Sequence, residues 1–142
     1  MAGKKVIVYQ LVGHRFMGVN EQGDKAMIDG DHPPTGPRPM ELLLMALGAC
    51  TAYDVVDIMN KKKQPLARYR VEVEGIRAET HPRRYTQITV RHIASGPQVT
   101  EEALRRAVEL SHTKYCSVSA SLNAEIATEV VVEPWEEDAS RR

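Results

Sequence analysis

The chain has 142 residues, one domain's worth, and can bury roughly two-thirds of its unfolded surface in a single core. Its 42% hydrophobic and 27% charged composition excludes disordered, collagen-like and disulfide-dense secreted classes. Nineteen basic residues balance 19 acidic ones, so the basic excess that marks a nucleic-acid binder is missing. The opening run Met1 to Val8 is too short in apolar length for a signal peptide and has no small-residue cleavage site. A cytoplasmic protein is expected, with neither a nucleic-acid nor a membrane partner.

Lys4 to Val12 and Arg15 to Asn20 carry β-formers around a Gly13-His14 turn, and Asn20 to Gly23 turns into Lys25 to Asp29. These three runs predict an antiparallel meander. Gly30 to Pro39 holds four prolines and two glycines and reads as a loop. It delivers Pro39 to the first position of a helix, with Glu41 in the first turn, where negative charge suits the dipole.

Leu42 to Met59 is the longest helical stretch, and from Leu42 to Ala52 it has no charged residue. Such a helix is apolar on every side and needs cover on every side. It reads as too short and too interrupted for a membrane span, so a sheet on one side and a second subunit on the other are expected to bury it. Lys61 to Lys63 place cations at its C-terminus, and Gln64-Pro65 stops it.

Leu66 to Thr80 and Tyr85 to Ala94 alternate apolar with charged residues and predict a half-exposed hairpin through His81 to Arg84. Thr100 is a suitable N-cap for a second helix with an apolar stripe of Ala103, Leu104, Ala107, Val108 and Leu110. A last strand, Ala124 to Glu133, ends at Pro134, and a polar tail over 136–142 is expected to fray. The order β-β-β-α-β-β-α-β, without repeat or linker, gives a single α+β domain over 1–142 with an antiparallel sheet.

Two cysteines lie 66 positions apart and outside any CxxC pair, which argues against structural zinc. Cys50 sits mid-helix between small residues, either as a buried thiol or as a nucleophile beneath an apolar pocket. Mid-helix it gains nothing from a helix N-terminus, so activation would need a cation brought by the fold. Cys116 follows the second helix, with His112 four residues earlier, on the same face if that helix continues. His14, His32, His81 and His92 show no ligand spacing, and no metal site is expected.

Pro37-Arg38-Pro39-Met40-Glu41-Leu42-Leu43-Leu44-Met45-Ala46-Leu47-Gly48-Ala49-Cys50, followed by Lys114-Tyr115-Cys116-Ser117-Val118-Ser119-Ala120, resembles the OsmC/Ohr family (osmotically inducible protein C and organic hydroperoxide resistance proteins). The resemblance runs from Lys4 to Glu133, and the wording before Cys50 is closer to the YhfA-like branch than to the best-characterised peroxidase branches. It implies an OsmC-like fold with a long central buried helix, in an intertwined homodimer with active sites at the subunit interface. It also implies a thiol-dependent peroxidase without a cofactor. Cys50 would be the peroxidatic cysteine and Cys116 the resolving one. An external thiol reductant, of lipoyl or other dithiol type, would then reopen the disulfide.

The family's thiolate-stabilising arginine corresponds to Arg15, with Arg38 as a rival in the loop before the helix. Its glutamate falls at Met40 by count, leaving Glu41 displaced by one position, about a quarter-turn. Ser117 stands where many members carry proline. Leu43, Leu44 and Leu47 suit alkyl or lipid hydroperoxides, and the alternative reading is a redox-sensing or apolar-ligand-binding dimer without efficient turnover.

Overall fold

The structure, a computed structural model, describes residues 3–136. The chain divides into two compact units, one running to Leu43 and one from Leu44 onward.

In the first unit, β1 (Val6–Val12), β2 (Arg15–Asn20) and β3 (Lys25–Asp29) form an antiparallel meander in that order. Gly13 turns the first hairpin at φ 56°, a conformation that a side chain at Cβ disfavours. Strand β1 is unusual in its exposure. Val6, Ile7, Val8, Tyr9, Leu11 and Val12 are all exposed, so both faces of an apolar edge strand meet solvent in the single chain.

Helix α1 (Pro39–Lys61) begins at the expected proline. Its 23 residues make it long and apolar enough to cross a membrane by length and composition, which corrects the expectation that it is too short. One stripe packs inward: Leu47, Gly48, Thr51, Val55 and Met59 are buried. The opposite stripe, with Met45, Tyr53 and Val56, is exposed, and Tyr53 is 77% open. Within one chain, then, the helix is covered on one side only.

The second unit holds β4 (Arg68–Arg77), β5 (Tyr85–Ser95) and β6 (Glu125–Val132), with β5 in the middle. Strands β4 and β5 pair antiparallel, as alternation predicts, but β5 and β6 pair parallel. The sheet is therefore mixed rather than wholly antiparallel. The reason is topological: α2 (Glu101–Leu110) lies between β5 and β6, and a crossover of that length returns the chain in the same direction. Thr100 caps α2 as expected, its hydroxyl accepting from the Ala103 amide at 3.2 Å.

The core lies between this sheet and the helices. Val55 and Met59 of α1 meet Ala94 of β5 and Ala103, Leu104, Ala107 and Val108 of α2. A Cβ on Gly48 would lie 3.0 Å from Val73, so glycine there lets α1 approach β4 closely two residues before Cys50. On the solvent face Arg91 bridges Glu72 at 3.2 Å and Glu129 at 2.7 Å, lacing the three strands. The expected frayed tail, apart from Glu136, lies outside the described residues.

Candidate functional site

Helix α2 ends at Leu110, and a π-helical turn, Ser111–Tyr115, follows it. The wider turn is closed by the Cys116 amide donating to the Ser111 carbonyl at 2.8 Å. His112 and Cys116 therefore do not share an α-helical face, as an uninterrupted helix would require. Both still line one small cavity with Leu47, Thr51, Val90, Ser119, Ile126 and Thr128, with a volume of about 10 Å³, room for a single water. The His112 Nδ1 stands 3.3 Å from the Ser119 hydroxyl. A short helix α3 (Ser117–Ala120), absent from the sequence reading, follows at once.

Cys116 is 4% exposed and Cys50 is half-buried. The two thiols lie close enough for Cys50 to act on the Cys116 thiol despite their separation in sequence. Burial pushes the Cys116 thiol up to about 11. The Ser119 amide, donating to the sulfur at 3.4 Å, opposes this, while the Cys50 thiol and the Asp54 carboxylate add to it. Cys116 is thus a protonated thiol at neutral pH, beside a partly exposed Cys50.

Asp54 and Ser111 escaped the sequence reading. Ser111 is fully buried and donates its hydroxyl hydrogen to Asp54 at 2.7 Å. A hydroxyl has one hydrogen, so at the 2.8 Å contact with Thr51 it is Thr51 that donates. The result is a directed chain, Thr51 to Ser111 to Asp54, between α1 and the start of the π turn. The only hint in the sequence is Asp54 itself, the first charge after Glu41 and one helical turn beyond Cys50.

In the first unit Arg15 is anchored. Its Nε donates to Asp29 at 3.0 Å and its Nη2 to the Pro33 carbonyl at 2.7 Å. Asp29 is fully buried and also accepts from the Thr35 amide and hydroxyl and the Asp31 amide. Burial alone would raise this carboxyl. The Thr35 and Asp31 hydrogen bonds and the Arg15 charge outweigh it and hold the group down at about 2. Glu41 has a different partner: its carboxylate accepts from the Arg38 amide at 2.9 Å, half of a capping box at the start of α1. Among the described residues no three His, Cys, Asp or Glu side chains cluster so as to hold a metal.

The family model for OsmC-like protein matches residues 30–131. Protein YhfA of Escherichia coli K12 is 39% identical over 110 residues, covering 78% of this chain and 82% of that protein. A hypothetical protein from Aquifex aeolicus VF5 superposes with a TM-score of 0.85 at 34% identity, covering 96% of this chain and all of that one. The organic hydroperoxide resistance protein OhrB of Bacillus subtilis shares the fold at 15% identity, with a TM-score of 0.61, over 93% of this chain and 98% of its own. The matched span holds both cysteines, the whole of α1 and the crossover through α2, and on that ground this chain belongs to the OsmC-like family.

Proposed function

We propose that this protein is a cysteine-based peroxidase that reduces organic hydroperoxides to alcohols, acting as a homodimer of single-domain chains in a reducing cytoplasm. The observation that carries the reading is the pairing of a half-exposed Cys50 with a buried, protonated Cys116 close enough for the first thiol to act on the second. The Cys50 thiolate attacks the distal oxygen of ROOH, the O–O bond breaks, and ROH leaves with a proton from solvent. Cys50 becomes a sulfenic acid. The Cys116 sulfur then attacks the Cys50 sulfur, and the hydroxyl of the sulfenic acid departs with the Cys116 proton as water. An external dithiol returns two electrons and two protons by thiol–disulfide exchange and is itself oxidised to a disulfide.

The cation for the Cys50 thiolate is Arg15, oriented in its own unit by Asp29 and the Pro33 carbonyl. Asp29 thereby takes the orienting role that the family resemblance gives to a glutamate, and Glu41 serves the helix start. Arg38 remains the rival cation. The dimer is supported by the apolar surface that one chain leaves open, on β1 and on the outer stripe of α1 with Met45 and Tyr53. A second copy covers both.

Turnover of cumene hydroperoxide with a dithiol reductant tests the reading. Wild type is expected to consume peroxide and, with one equivalent and no reductant, to lose both free thiols. Cys50→Ser abolishes consumption; Cys116→Ser permits one fast oxidation and then stalls. A wild type that consumes no peroxide would leave a redox-sensing or ligand-binding dimer in its place. Sedimentation as a monomer at micromolar concentration would remove the shared site.

A further inference from the structure

One buried serine ties the two cysteine-bearing segments together. The Ser111 hydroxyl donates to Asp54 at 2.7 Å, one turn beyond Cys50 on α1. It accepts at 2.8 Å from Thr51, the residue after Cys50. The Ser111 carbonyl accepts from the Cys116 amide, also at 2.8 Å. The π turn makes this possible, because an α-helical continuation would direct that carbonyl to the amide of residue 115. Leu47 and Thr51, three residues before Cys50 and one after it, line the same small cavity as Cys116. The tether therefore spans the gap that a Cys50–Cys116 bond has to close.

Burial makes these contacts count. Ser111 is fully buried and Thr51 is 5% exposed, so water does not readily replace either bond when one is lost. The bond to Asp54 is charge-assisted, and the Thr51 hydroxyl upstream polarises it further. Two groups held in register before they react have already met the ordering cost of their bond. A hydroxyl that joins α1 to the π turn and a sulfur–sulfur bond that joins the same segments thus support one another, as contacts sharing one element do.

We propose that Ser111 is a positioning residue for disulfide formation: bonded through its hydroxyl to Thr51 and Asp54 on α1, and through its carbonyl to the Cys116 amide, it keeps the two thiols in the register that their bond requires. The inference rests on the peroxidase reading, in which Cys116 resolves the oxidised Cys50. Ser111 acts through the two segments and takes no part in the chemistry of the sulfurs.

The test equilibrates the full-length protein with mixtures of reduced and oxidised dithiothreitol and counts alkylated thiols by mass spectrometry. In this exchange the Cys50 and Cys116 thiols give two electrons and two protons to the oxidised reagent, whose S–S bond breaks as the protein's forms. Ser111→Ala is expected to lower the equilibrium constant for the protein disulfide about tenfold, about 30 mV toward easier reduction. Asp54→Asn keeps an oxygen acceptor for the Ser111 hydroxyl and should hold the constant near wild type. Should Ser111→Ala fail to fold, Thr51→Val removes one of the two hydroxyl contacts with nearly the same shape and should give a smaller fall. A melting temperature that drops while the constant stays put would make Ser111 a packing residue and overturn the proposal. A constant that rises would overturn it too, as would an equal fall in Asp54→Asn or a wild type that forms no Cys50–Cys116 disulfide at any ratio. Peroxide consumption by wild type is scored separately. No consumption with a lowered constant in Ser111→Ala sinks the peroxidase reading and supports the positioning role; consumption with an unmoved constant sinks the positioning role alone.

Discussion

Arg15 donates through its Nε to the fully buried carboxylate of Asp29 at 3.0 Å, across two adjacent strands that bring these residues directly opposite in register. Three further donors from Thr35 and Asp31 converge on the same carboxylate. The loop 30–39 is thereby tied to the meander by one acid, which also sets the direction of the arginine.

This arrangement has a pH signature. Asp29 is held at about 2 against an ordinary value of 3.8, so its stabilising effect is complete above pH 3.8 and is lost as pH falls toward 2. Asp29→Asn is expected to lower stability at neutral pH and to flatten that acid limb. Thermal unfolding of both proteins between pH 2 and pH 5 checks it; parallel limbs would mean that other carboxylates dominate.

His92 gives a second signature, at higher pH. It is fully buried on the inner face of β5, its Nδ1 lies 2.6 Å from the Tyr69 hydroxyl, and its Nε2 has no partner among the described residues. Burial lowers its pKa to about 4 from 6.5, so between those values the unfolded chain takes up a proton that the folded chain refuses. Stability should fall as pH drops from 6.5 to 4. The double substitution Tyr69→Phe with His92→Leu removes both hydrogen-bonding partners and should abolish this slope, read as melting temperature against pH.

Lys63 ends α1 in the left-handed region at φ 59°, while the Gln64 amide closes the turn on the Met59 carbonyl at 2.9 Å. A side chain there is strained by about 1 kcal/mol, and glycine relieves it while gaining freedom in the unfolded chain. Lys63→Gly should therefore stabilise by ~0.5 kcal/mol, a rise of about 1–2 °C in melting temperature. A fall would show that the lysine's interaction with the helix end outweighs the strain.

Gly75 on β4 lies under the Tyr85 ring, where an added Cβ would fall 2.5 Å from Cδ1 and 3.2 Å from Leu44. Gly75→Ala is expected to destabilise by about 1–3 kcal/mol through overpacking. In a Tyr85→Leu background the same substitution should lose much less. Additive losses in denaturant unfolding would place the strain elsewhere.

Much of this architecture is local and was legible in the residues. Alternation located β4 and β5, Pro39 and Thr100 marked the starts of α1 and α2, and the uncharged run from Leu42 to Ala52 announced a helix needing cover on more than one side. These signals survive in the sequence because each depends on neighbours within about one helical turn or one strand pair. The small-residue setting of Cys50 and the later Cys116 carried the family resemblance for the same reason.

The tertiary structure decided what depends on distant residues. The parallel pairing of β6 follows from the crossover through α2, and no pattern within β6 records it. Nor could spacing reveal that Arg15 would turn to Asp29 while Glu41 capped α1, since both acids satisfy the same local rules. The π turn after Leu110 brings Ser111 against Asp54, 57 positions away, and Cys116 beside Cys50. Which of two chemically identical thiols is buried and which is half-open is a property of packing, because burial and neighbouring charge exist only once the chain has folded.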